Sequence, residues 1–212
     1  MKLLVTLFVF ISVSFFSSAQ DTKAQAILDK LSAKLKSHTS FYVEFSAIIK
    51  NSATKTNESE TGKGWVKSNK YCASFGDNTI ISNGIKTWTI VKEEKLVYES
   101  DADEEDESIN PRKLMTIWET GFKNKYGKES SLNGETVHSI YLYPKNPKSV
   151  EYHTIVLYIS KAQNELKKVI MRSKDGTEMT YKLNKYTPNA KVSDSQFVFE
   201  PKKYPGYTVI KD

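Results

Sequence analysis

The segment Thr79-Ile80-Ile81-Ser82-Asn83-Gly84-Ile85-Lys86-Thr87-Trp88-Thr89-Ile90-Val91 constrains the fold more than any other stretch. Two short β-prone runs flank Asn83-Gly84, a dipeptide that accepts the positive φ angles of a type I′ turn and so predicts a tight hairpin. Along the second arm Trp88 and Ile90 alternate with Thr87 and Thr89, leaving one apolar and one polar face. The same turn chemistry recurs at Asn133-Gly134 and Asp175-Gly176, so the hairpin reads as one unit of a long antiparallel meander.

The chain opens with Met1-Lys2, an apolar run from Leu3 to Phe16 and the small residues Ser17-Ser18-Ala19. That pattern predicts a secretory signal peptide over 1–19, cleaved near Ala19-Gln20, and a soluble, exported product. No Cys follows the apolar run, so no lipidation is expected there. About 190 residues remain over 20–212, enough for one domain with a sizeable core. Ala24, Ile27, Leu28, Leu31 and Leu35 repeat at three- and four-residue steps and predict a helix over Asp21–Ser37. Phe41–Lys50 then switches to period two, with Phe41, Val43, Phe45, Ala47 and Ile49 on one side. The polar stretch 51–61 reads as a loop, followed by strands at 64–67, 71–75 and, after the hairpin, 96–98.

Asp101, Asp103, Glu104, Glu105, Asp106 and Glu107 repel one another and predict an exposed loop. A calcium site is the sharper alternative, but the spacing lacks the turn Gly and terminal Glu of an EF-hand loop. Asn110 then caps, and Pro111 begins, a second helix whose apolar side is Leu114, Met115, Ile117 and Trp118, with Gly121 at its end. Strands follow at 137–143, 152–160, 166–173 and 177–186, with a final strand pair around 197–199 and 207–210. The sum is about eleven strands and two principal helices, an α+β architecture.

No catalytic arrangement stands out. His38, His138 and His153 lie in different elements, and none is spaced for metal ligation. Cys72, the single cysteine, reads as a buried structural thiol and excludes an internal disulfide. There is no phosphate loop, nucleophile elbow or His-Glu-x-x-His. The chain is therefore expected to be no enzyme and to need no metal or cofactor. The net charge of +6 could suit an anionic membrane surface or nucleic acid, but the lysines are interleaved with acids, which favours an ordinary solvated surface and no nucleic-acid partner.

Three motifs in order carry a family resemblance. Gly62-x-Gly64-x-Val66-Lys67, then Ile80-Ile81-Ser82-Asn83-Gly84 with Trp88, then Phe197-Val198-Phe199-Glu200-Pro201 with Gly206-Tyr207-Thr208-Val209-Ile210 resemble the periplasmic outer-membrane lipoprotein carrier family, LolA. The resemblance implies an unclosed antiparallel β half-barrel covered by short helices, around a hydrophobic cavity for lipoprotein acyl chains. It implies a soluble, monomeric carrier, located in the periplasm, that takes acylated lipoproteins from an inner-membrane transporter to an outer-membrane acceptor. A lipid- or lipoprotein-sensing module of the same fold is the alternative. The cargo-binding candidates are then Leu28 and Leu31 of the first helix, Phe45, Cys72, Ile81, Trp88, Ile90 and Leu142 of the sheet, and Leu114, Met115, Ile117 and Trp118 of a lid helix. The family strand reads Val-Lys-Arg-Pro, and its Arg latches the lid. Here Ser68 stands in that position, which implies a weakly latched lid that Lys67, Lys70 or Arg112 could compensate.

Overall fold

The structure, a computed structural model, describes residues 21–102 and 115–211. The signal peptide, the acidic run Asp103–Glu107, Asn110, Pro111, Arg112 and Leu114 lie outside these residues. One α-helix, α1 (Thr22–Lys36), precedes twelve strands: β1 (Ser40–Asn51), β2 (Thr56–Lys67), β3 (Lys70–Phe75), β4 (Asn78–Ser82), β5 (Lys86–Val91) and β6 (Leu96–Asp101) form its first half. The second half holds β7 (Phe122–Leu132), β8 (Glu135–Pro144), β9 (Tyr152–Ser160), β10 (Leu166–Ser173), β11 (Glu178–Pro188) and β12 (Thr208–Lys211). All twelve belong to one sheet in the order β12-β6-β5-β4-β3-β2-β1-β11-β10-β9-β8-β7. The edge strands β12 and β7 do not meet, so the sheet is an open half-barrel and the expected α+β class holds.

Helix α1 forms where its pattern predicts. Asp21 caps it, with Oδ1 accepting from the Lys23 and Ala24 amides at 3.0 Å each, and Lys34 and Lys36 complement the last turn. The other Asp21 oxygen accepts the Tyr126 amide of edge strand β7 at 2.9 Å. One carboxylate thus starts the helix and ties it to the sheet, and these amide bonds hold its pKa below the usual range. At the far end Lys34 Nζ donates to Gln163 O at 2.7 Å and Glu165 Oε1 at 2.8 Å, fastening the helix to the β9–β10 turn.

Two apolar clusters lie on opposite faces of the sheet, because neighbours in one strand divide between them. Val66, Tyr71 and Ile80 pack with α1 on what we call the helix face, alongside Leu28, Leu31, Leu142 and Leu157. Trp65, Cys72 and Ile81 join Trp88, Ile90 and Val97 on the outer face, under Phe197, Phe199, Tyr204 and Tyr207 of the C-terminal segment.

Several expectations are corrected. Asn83-Gly84 is no type I′ turn: only Gly84 has positive φ, at 85°, while Asn83 Oδ1 accepts the Ile85 and Lys86 amides at 2.9 and 2.8 Å. The side chain supplies the turn, as Asn does outside the left-handed region. Asn133-Gly134, at φ 52° and 81°, is the dipeptide with both positive angles between directly paired strands. Half of the expected loop 51–61 belongs to twelve-residue β2, and β7 is a full strand. No strand pair forms at 197–199; a 3₁₀ turn spans Asp194–Phe197, and β12 joins β6 in parallel. The described part of the second helix, 115–121, is turn and bend, with Glu119 N–H bonded to Thr116 O at 3.0 Å. Thr116, Ile117 and Thr120 are β-branched and disfavour continued helix.

Candidate functional site: a partly roofed apolar face

Beneath α1 the helix face is filled. Ile140, Leu142, Ile155, Leu157 and Ile159 are fully buried there. The void between Leu31, Leu35, Met115, Leu166, Leu183 and Tyr186 measures only about 10 Å³, the room of one water. No acyl-sized cavity exists at this position; long side chains from β8–β10 meet the helix stripe directly. Among the described residues, however, the roof stops partway along the sheet. The same face continues through Phe45, Phe75, Met171, Met179 and Tyr181, all half-buried. Phe45 stacks on Phe75 at 5.8 Å and 13°, over Gly62, and Tyr181 O–H donates to Met179 Sδ at 3.8 Å. Burial pushes the Tyr181 phenol up, keeping it neutral in this apolar setting.

The turn 115–121 borders the roof. Its Trp118 is buried, with indole N–H donating to Ser32 Oγ of α1 at 2.9 Å, and Glu119 pairs with Lys36 at 2.9 Å. A cleft of about 340 Å³ opens on one side of it, between Leu35, Phe41, Val66, Ser68, Met115 and Thr116. Another of about 430 Å³ opens on the other side, between Ile117, Thr120, Phe122, Val150 and Tyr152. His38, in the first cleft's wall, has its Nδ1 2.8 Å from the O–H of Tyr186, which lines the small void under α1, and burial pushes that phenol up to about 12.

The sequence-derived candidates divide between the faces. Leu28, Leu31, Phe45, Leu142, Met115, Ile117 and Trp118 share the helix face. Cys72, Ile81, Trp88 and Ile90 are on the outer face instead, beneath the chain's own C-terminal segment, with Trp88 N–H bonded to Glu99 Oε2 at 3.1 Å. They are one residue out of phase with Tyr71 and Ile80, which do face α1. Burial also pushes the Cys72 thiol up. Phe75, Met171, Met179 and Tyr181 were missed; their parity with Phe45 across paired strands is the signal that could have found them. Ser68 is not within the strand but in the β2–β3 turn, at φ 54°, its amide donating to Thr39 O at 3.3 Å. Lys67 and Lys70 point away from the lid position and pair with Asp194 at 3.0 and 3.5 Å. His138 and His153 do not pair: they contact Tyr126 O–H and Thr154 Oγ1. No three metal-ligating side chains cluster among the described residues.

A family model described as outer membrane lipoprotein carrier protein LolA matches residues 73–200. An uncharacterized conserved protein from Thermus thermophilus superposes with a TM-score of 0.58 at 12% identity, over 90% of this chain and 100% of that one. At this identity the superposition speaks for the fold alone. The lipoprotein LppX from Mycobacterium tuberculosis gives 0.49 at 13% identity, over 82% of this chain and 98% of its own. A LolA superfamily protein from Nitrosomonas europaea gives 0.44 at 13%, over 83% and 97%. No curated protein matches the sequence.

Proposed function

Since the chain belongs to the outer membrane lipoprotein carrier family, we propose that it carries acylated lipoproteins across the periplasm, from an inner-membrane transporter to an outer-membrane acceptor. Residues 1–19 act as its cleaved export signal, and the mature chain works as a monomer without cofactor. The observation that carries this reading is an apolar sheet face that its helix roofs only in part. Exposing an acyl chain of about fifteen methylenes to water costs on the order of 12 kcal/mol at about 0.8 per CH₂. A carrier removes that cost by burial alone, with no bond made or broken.

Cargo first meets the half-buried surface around Phe45, Phe75 and Met179, then displaces the 115–121 turn from between its two clefts. Met115, Met171 and Met179 suit chains of variable shape because their thioethers are flexible. The filled space under α1 means that deeper uptake requires the helix and sheet to part. Titration with an acylated peptide should show one saturable site, and Ile117→Glu should abolish uptake by placing an unpaired carboxylate on the apolar side of the turn. An absence of saturable uptake by the parent chain would overturn the proposal.

A further inference from the structure

Among the described residues, the outer face is covered over only half its width. Above β2–β5 the C-terminal segment seals it with Phe197. Across β7–β11, Val156 and Ile170 are buried in the outer surface yet belong to neither apolar cluster. They sit mid-row in a single register line, Lys125–Tyr141–Val156–Ile170–Thr180–Ile48, that runs over six strands. Tyr143 lies beside Tyr141, the rings stacked at 6.5 Å and 11°, and opposite Lys123. Tyr158 lies on the next row beneath Lys168 Nζ, 3.9 Å from the ring centre. Tyr143 is 40% and Ile48 37% exposed.

The charges on this surface are unbalanced. Lys123, Lys125 and Lys182 have no ion pair among the described residues, and Lys168 rests on an aromatic ring. The carboxylates near them among the described residues are already engaged, Glu178 by Arg172 at 3.1 Å and Glu44 by Lys185 at 3.6 Å. We propose that this bare half of the outer face docks on an anionic lipid bilayer. A row of sheet residues presents a broad shallow surface, which fits a plane better than a discrete ligand. Tyrosines with apolar rings and polar hydroxyls are suited to the headgroup layer, and unpaired lysines supply attraction to its charge. A protein partner would call for a contiguous exposed apolar centre; here the two most exposed apolar residues, Ile48 and Tyr143, stand four strands apart.

The inference does not depend on the carrier reading, because it concerns the opposite face and the cargo-free chain. It is tested by sedimenting the mature chain with vesicles of phosphatidylglycerol and phosphatidylethanolamine, and with vesicles of phosphatidylcholine alone. Binding is expected only to the first and should weaken as salt is raised. Each lysine near such a surface is worth about a fivefold change in partitioning, so Lys123→Glu with Lys125→Glu should lower it at least tenfold. Both residues are exposed, and unchanged thermal unfolding of the variant would separate lost docking from lost fold. No binding to anionic vesicles, equal binding to both kinds, or binding that the double variant leaves intact would overturn the proposal. So would stronger retention by a soluble anionic polysaccharide than by the vesicles.

Discussion

Gly62 is set by the ring that lies against it. A Cβ at this position would collide with Phe45 Cζ, so Gly62→Ala forces the Phe45–Phe75 stack apart. Overpacking of this kind costs about 1–3 kcal/mol, and a lower urea midpoint should report it. Phe45→Leu in the same background should recover part of the loss, because the shorter side chain leaves room. At His138 the effect is electrostatic. Burial holds its pKa below the usual 6.5, outweighing the Glu129 carboxylate 3.8 Å away. The unfolded chain therefore binds the extra proton first. This contribution is complete above about pH 6.5 and is lost as pH falls through the lower folded value. Melting temperature should decline on acidification through that window, and His138→Asn should flatten the slope.

At the scale of elements, Asp21 joins α1 to β7. Asp21→Ala removes the helix cap and leaves the Tyr126 amide without its acceptor. The variant should melt at a lower temperature, with faster amide exchange at Lys23, Ala24 and Tyr126. The turn 115–121 is held differently, by Trp118–Ser32 and Lys36–Glu119 over open clefts. Its amides should exchange faster than those of the β4–β5 hairpin. Ser68→Arg, reaching into the cleft beside Thr116, should slow that exchange and weaken cargo uptake. These elements also show which features were legible in the sequence. Helix α1 was, because cap, stripe and basic last turn agree on one answer. The Asn133-Gly134 turn was, because backbone strain decides it locally. The first half of β2 was not: Asn57 to Thr61 are all exposed, so no alternation marks a strand held by pairing to β1. The parallel β12–β6 pairing depends on a distant strand and leaves no local trace. Alternation shows that Trp88 and Ile90 share a face, but not that the chain's own Phe197 and Phe199 cover it. Four of the cargo-binding candidates, Cys72, Ile81, Trp88 and Ile90, therefore lie on the outer face and not with α1.

Taken whole, the molecule is two antiparallel ribbons, β2–β6 and β7–β11, meeting at β1. Phe197, wholly buried, fastens the C-terminal segment over the first ribbon, and Phe197→Ala should cost about 3–5 kcal/mol, read from chemical denaturation. Each ribbon is built from neighbouring hairpins, whereas β1 pairs with β11 from Phe41↔Pro188 to Lys50↔Glu178. That arrangement imposes an order in time. Hairpins close within microseconds, but a seam between distant parts of the chain waits on both sides being present. In a chain delivered N-terminus first, β1 is available well before its partner. Through that interval an edge bearing Val43, Phe45, Ala47 and Ile49 stands open to any other strand. The protein is therefore most exposed to misassembly not while carrying anything, but while waiting for its own eleventh strand.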